Sequence, residues 1–326
     1  MFARLEVKMA PVEAIATSAT LRTVSCGNDV DRLVMSGGGV LGLMFCGAAK
    51  ALDERGVFGS LKAFAGTSAG SIFAAAFAAG FAPDELASMI EDIDLMTLVD
   101  GFGTFAYSSW PALRLAGRAA GFAGAARRLV QMPWTLGLFE GAAFEAWFNA
   151  LLERKLLRKR ATFADLPKRL KVVATDLETT TSLVFSSDDT PDMSVAAAVR
   201  ASISVPGAFR PIDRSVVDGG VVENYPLYVF GDSDADMDRV VGLKLVPQKA
   251  KGDPPAKWGA IEYLYAVVET FMAAIDRMYV ADKYWKRTVP LKVPPGVGFL
   301  DFHMSAAQKR ALVDAGYEQA MARFAQ

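Results

Sequence analysis

From Arg32 onward, apolar positions fall into short runs and helix-spaced stripes separated by glycines. Arg32 to Ser36 is a short apolar run closed by Gly37-Gly38-Gly39, and Val40 to Arg55 then repeats apolar residues at helical spacing until Gly56. The pattern predicts strand, glycine turn and helix. Leu61 to Ala65 predicts a second buried strand, Gly66 to Gly70 a turn, and Ser71 to Ala79 an alanine-rich helix closed by Gly80 and Pro83. Further strands are expected at Lys171–Thr175, Ser182–Phe185 and Arg239–Val246, and helices at Phe139–Leu156 and Val195–Ala201. Val216-Val217 leads into Asp218-Gly219-Gly220. Strands alternating with helices favour an α/β fold with a mostly parallel sheet covered on both faces.

Two stretches depart from that rhythm. Residues 1–30 are aperiodic and read as an N-terminal arm, leaving 31–326 as a single domain with an insertion at about 98–138 and a C-terminal helical region at about 256–326. The insertion sets Arg114, Arg118, Arg127 and Arg128 beside Trp110, Phe122 and Trp134. It reads either as an amphipathic cap that touches anionic lipid or as a helical insertion packed on the sheet. Trp258 to Lys286 predicts a long amphipathic helix with Glu262, Glu269, Asp276 and Lys283 on one stripe, suited to the core or to a membrane surface.

Composition narrows the function classes. Apolar residues make up 52% of the 326 and charged residues 22%, enough for a sizeable core. Thirty-five basic residues against 36 acidic, with no long basic run, argue against a nucleic-acid partner. Cys26 and Cys46 are too few for a disulfide framework, and two cysteines with one histidine build no zinc site. The N-terminus lacks the apolar block of a secretory signal, and the longest apolar run, Ile72 to Pro83, is far shorter than the ~20 residues that span a bilayer. A cytoplasmic protein that meets membranes peripherally is expected.

Three motifs carry candidate chemistry. Gly66-Thr67-Ser68-Ala69-Gly70 suits a nucleophile on a sharp strand-to-helix turn, where neighbours without side chains let the turn close. The same residues also suit a glycine-rich turn whose serine caps a helix. Gly37-Gly38-Gly39-Val40-Leu41-Gly42 reads as an oxyanion hole built from backbone N–H groups, as a phosphate cradle, or as close helix-to-strand packing. It lacks the Walker lysine and the downstream acid of a dinucleotide site, because Asp53 and Glu54 lie on the same helix. Asp218-Gly219-Gly220 is a turn whose aspartate becomes a general base if it reaches Ser68 with a raised pKa. The lone His303 leaves a Ser68–Asp218–His303 triad open, since that chain order also occurs in α/β-hydrolases. Asp176, at another strand end, reads as scaffold.

GGGVLG, GTSAG and DGG, with VAAAVRASISVPGAFRPI from Val195 to Ile212 ahead of the last, resemble the patatin-like phospholipases over about Arg32 to Pro226. The resemblance implies a three-layer α/β/α domain with a mostly parallel central sheet and a helical cap. It implies Ser68 as nucleophile, Asp218 as base without histidine, and Gly37, Gly38 and Gly39 as oxyanion-hole positions, with Gly42, Gly66, Gly70, Gly219 and Gly220 supporting the motifs. The implied activity is hydrolysis of fatty-acyl esters of phospholipids through an acyl-enzyme, as a phospholipase A or lysophospholipase. It requires no metal or cofactor, and the partner is lipid at a transient membrane surface. One departure is Leu41, where such sequences often carry arginine or lysine. The oxyanion would then lean on backbone N–H groups and the helix end, and a weakly catalytic lipid- or partner-binding protein is the alternative.

Overall fold

The computed structural model describes residues 29–99, 131, 134–246, 267, 270, 285–299 and 301–324. Its centre is a sheet of seven strands: β1 (Arg32–Met35), β2 (Ala63–Thr67), β4 (Arg169–Asp176), β5 (Thr181–Ser186), β7 (Val216–Asp218), β8 (Val240–Val246) and β9 (Thr288–Lys292). The spatial order is β5-β4-β2-β1-β8-β9, with β7 also on β4. Every pairing from β4 through β2, β1 and β8 to β9 is parallel, whereas β5 and β7 run antiparallel to β4. A separate parallel ribbon joins β3 (Gly137–Phe139) to β6 (Gly207–Phe209).

Alternation along the strands divides the core between the two faces. Leu33, Met35, Phe64, Val241 and Leu243 join the large apolar cluster, while Val34, Ala65 and Val240 turn to a smaller one with Leu227 and Met237. The large cluster is filled by α1 (Met44–Glu54), α2 (Ala69–Ala78), α3 (Pro83–Asp92), α4 (Ala142–Leu156) and α5 (Val195–Ser202). On the other face lies α6 (Asp234–Asp238), whose Met237 enters the smaller cluster. The helix α2 is buried nearly all round, as its AGSIFAAAFA sequence demands.

The C-terminal helix α7 (Ala306–Arg323) packs on α1 through small residues. A Cβ on Gly47 would come 1.8 Å from the Val313 carbonyl oxygen, and one on Gly316 2.1 Å from that of Met44. Lys309 of α7 is buried and donates its ammonium to the carbonyls of Ile90, Glu91 and Ile93, capping the end of α3. Most of the 98–138 insertion, including Arg114, Arg118, Arg127 and Arg128, lies outside the described residues, as does nearly all of Trp258–Lys286 and residues 1–28. Trp134, at the described edge of the insertion, is 75% exposed. Among the described residues no helix is long and apolar enough to cross a membrane.

Candidate active site

Strand register brings the three motifs together. β1 and β2 are parallel with Met35 opposite Gly66, so the glycine loop and the serine turn leave the sheet side by side. β2 is parallel to β4 with Thr67 opposite Val173, and antiparallel β7 places Asp218 opposite Ala174, the next residue of β4. β2 and β7 thus follow one another along the same edge of β4, opposite β5, and Ser68 and Asp218 emerge where they meet.

The glycines make that approach possible. A Cβ on Gly66 would lie 2.3 Å from the carbonyl of Gly70, one on Gly70 2.3 Å from the Met35 oxygen, and one on Gly219 2.3 Å from the Val173 oxygen. Ser68 itself has φ 50° and ψ −124°, a region non-glycine residues rarely occupy and one that costs about 1–3 kcal/mol. Surrounding bonds hold it there: its carbonyl accepts the Ser71 hydroxyl at 2.6 Å, and Thr67 Oγ1 donates to the Glu223 carbonyl at 2.9 Å. Helix α2 begins at Ala69, so its positive end points at the serine.

Asp218 is 1% exposed. Its Oδ1 accepts the Gly220 N–H at 2.7 Å, while Oδ2 closes no hydrogen bond of good geometry among the described residues. Burial pushes its pKa up to about 7, against the smaller lowering effects of the nearby Ser68 hydroxyl and the Gly220 N–H. A carboxyl so placed takes and returns a proton near neutral pH.

The glycine loop divides its N–H groups. Gly37 donates to the Asn224 carbonyl at 2.9 Å and Val40 to the Phe299 carbonyl at 2.9 Å. The N–H groups of Gly38 and Gly39 bond to no described residue. Gly37, expected among the oxyanion-hole positions, commits its own N–H to the Asn224 carbonyl, and a Cβ there would meet the Asn224 side-chain oxygen at 2.2 Å. Gly42 packs beneath the loop on Phe73, and Leu41 is buried in the large core cluster rather than turned toward Ser68.

Ser68 opens on an apolar cavity of about 120 Å³ walled by Ile72, Phe73, Trp147, Phe209 and Phe302, in which it is the one hydroxyl-bearing side chain among the described residues. His303 is exposed and makes no hydrogen bond to Ser68 or Asp218, so the triad finds no support. Asp176 accepts from Glu178 N–H and the Thr179 hydroxyl in a surface turn. Among the described residues no cluster of histidine, cysteine or carboxylate side chains is arranged to hold a metal ion. Cys46 is buried and its thiol pKa is driven upward by desolvation, which leaves it inert.

Three buried residues that no motif marks support the site. Arg200, fully buried on α5, donates to the carbonyls of Glu140 and Arg210 and to the Ser204 hydroxyl, and lies over the Phe209 ring. It ties the β3 and β6 ends to the wall of the cavity. Ser202 and Asn224 touch the serine and glycine turns. All three lie in or beside the VAAAVRASISVPGAFRPI and DGG blocks, but nothing local in the sequence marks a side chain that acts through a distant backbone group.

A serine turn and a buried aspartate thus meet at neighbouring strand ends of a mostly parallel α/β sheet. The sequence model of the Patatin-like phospholipase family matches residues 33–230, and the chain belongs to this family of lipid hydrolases. It is 35% identical to the protein YqhO of Bacillus subtilis (strain 168) over 87% of this chain and 94% of that protein. In structure it is similar to VipD from Legionella pneumophila, with a TM-score of 0.53 at 18% identity over 91% of this chain and 67% of that one. ExoU of the Pseudomonas aeruginosa type III secretion system, solved with SpcU, superimposes with a TM-score of 0.50 at 23% identity over 90% of this chain. The chain spans about half of ExoU, 51%, and at these identities the likeness shows the fold.

Proposed function

We propose that the protein hydrolyses fatty-acyl esters of phospholipids by a Ser68–Asp218 dyad. The observation that carries this reading is the apolar cavity ending at Ser68 with the buried Asp218 carboxylate behind it. An acyl chain enters the cavity and sets its ester carbonyl against Ser68 Oγ. As Oγ attacks the carbonyl carbon, its proton passes to Asp218 Oδ2, and the carbonyl π pair moves onto oxygen. The N–H groups of Gly38 and Gly39 and the positive end of α2 meet that charge. The tetrahedral intermediate collapses with cleavage of the ester C–O bond, and the leaving alcohol takes the proton from Asp218. Water then attacks the acyl-enzyme, Asp218 accepts its proton and returns it to Ser68, and free fatty acid leaves.

Because the cavity wall is apolar, a lipid chain fits it better than a polar acyl group. Purified protein is expected to release fatty acid and lysophospholipid from phosphatidylcholine vesicles, with Ser68→Ala inactive. Stoichiometric vesicle binding without release would instead support the lipid-binding alternative.

A further inference from the structure

We propose that Ser202 is a positioning residue that fixes the nucleophile turn against β4, the strand on which β7 and its base are paired. The inference rests on the Ser68–Asp218 reading and adds to it a third side chain that touches neither substrate nor reacting atom.

Ser202 is fully buried at the last turn of α5. Its hydroxyl accepts the backbone N–H of Ser68 at 2.9 Å and donates to the Val173 carbonyl at 2.6 Å. Val173 is the β4 residue opposite Thr67, and its neighbour Ala174 pairs with Asp218. One hydroxyl thus joins the serine turn to β4, against which the base-bearing strand β7 is paired. Two residues on, the Ser204 carbonyl accepts the backbone N–H of Asp218 at 3.0 Å. The end of α5 therefore grips nucleophile and base together, and buried Arg200 anchors it through the Ser204 hydroxyl at 2.6 Å.

This bond explains how the strained Ser68 backbone persists. The Ser68 N–H lies past the last β2 pair, Thr67–Val173, and ahead of α2, and buried without a partner it would cost about 1–3 kcal/mol. Ser202 Oγ satisfies it, and by donating onward to Val173 it is itself fixed in direction. Loss of the hydroxyl orphans an N–H and a carbonyl and lets the turn relax toward ordinary dihedrals, moving Ser68 Oγ away from Asp218. A displacement of about 1 Å at a reacting atom costs on the order of a hundredfold in rate.

The test compares Ser202→Ala, Ser202→Cys and Ser202→Thr in the full chain, with a soluble short-chain ester and with the Asp218 carboxyl titrated by carbon NMR. Ser202→Ala should lower kcat about ten- to a hundredfold with KM changed less than about twofold. Ser202→Thr, which keeps the hydroxyl, should recover most of the loss. The Ser68 donor contact lowers the Asp218 pKa, so loosening it should move the Asp218 titration, and the acid limb of kcat/KM, to higher pH. If Ser202→Ala does not fold, Ser202→Cys keeps the volume while weakening both hydrogen bonds and should show the same kcat loss. Wild-type kcat in a folded Ala or Cys variant, or an Asp218 titration that does not move, would overturn the proposal. A wild-type protein that turns over no ester and leaves Ser68 unreactive would overturn the dyad reading and this proposal with it; a kcat effect absent in an active enzyme overturns this proposal alone.

Discussion

Val40 donates its backbone N–H to the carbonyl of Phe299 at 2.9 Å, so the glycine loop is closed by a segment beyond the region the family model matches. Phe302, three residues on, walls the cavity at Ser68. The C-terminal segment is therefore part of the site's construction.

That closure predicts a contrast between two glycines of similar backbone. Gly39 has φ +57° and a Cβ there would meet the Phe299 oxygen at 1.9 Å, whereas Gly56 has φ +72° with open space around it. Gly56→Ala should cost about 1–2 kcal/mol of left-handed strain and leave ester hydrolysis unchanged. Gly39→Ala adds displacement of the Phe299 segment and of a free N–H, so it should lower both melting temperature and kcat. Melts and initial rates on the two variants check this, and equal effects would contradict it.

The raised pKa of Asp218 has consequences of opposite sign for rate and stability. A base must be ionised to accept a proton, so kcat/KM should rise with pH through about 7. Its folded pKa of about 7 stands above the ordinary 3.8, so the folded state binds the extra proton. Asp218 thus contributes stability that is full below about 3.8 and lost as pH rises through about 7. Asp218→Asn, which cannot ionise, should therefore gain stability over the wild type between about pH 4 and 7, by up to a few kcal/mol, while losing activity. Denaturant melts at pH 5 and pH 8 measure the difference, and a wild type that is the more stable protein at pH 8 would contradict it.

Leu41 predicts a loss of folding rather than a change of rate. The residue is 4% exposed within the main core, so an arginine there is a buried charge in an apolar setting and not a cation near the oxyanion. Leu41→Arg should destabilise the protein by at least about 3 kcal/mol, read as a lower denaturation midpoint. A stable variant with raised turnover would restore the view of position 41 as an electrostatic site.

Much of this arrangement was legible along the chain. Glycines that bracket a serine between an apolar run and an alanine-rich stretch leave few alternatives to a strand-turn-helix, and β2 and α2 are that unit. The strand itself begins at Ala63 rather than Leu61, because its pairing starts opposite Arg32 and the Leu61 N–H is committed to the Phe58 carbonyl of the preceding turn. The antiparallel sense of β5 and β7 was not legible, since a short strand carries no mark of its direction. Neither was the commitment of the Gly37 N–H, which depends on a carbonyl brought from Asn224 by the fold. Helix α7 finds its place through close backbone contact at Gly47 and Gly316, a signal that appears only when both helices are known.

Covalent capture tests whether Ser68 is the nucleophile and Asp218 its base. A fluorophosphonate should label one residue, and peptide mass spectrometry should place the phosphonyl group on Ser68. Labelling should vanish in Ser68→Ala, slow by about a thousandfold in Asp218→Asn, and proceed at nearly the wild-type rate in His303→Ala. A label on another residue, or a folded His303→Ala protein as unreactive as Asp218→Asn, would contradict the account.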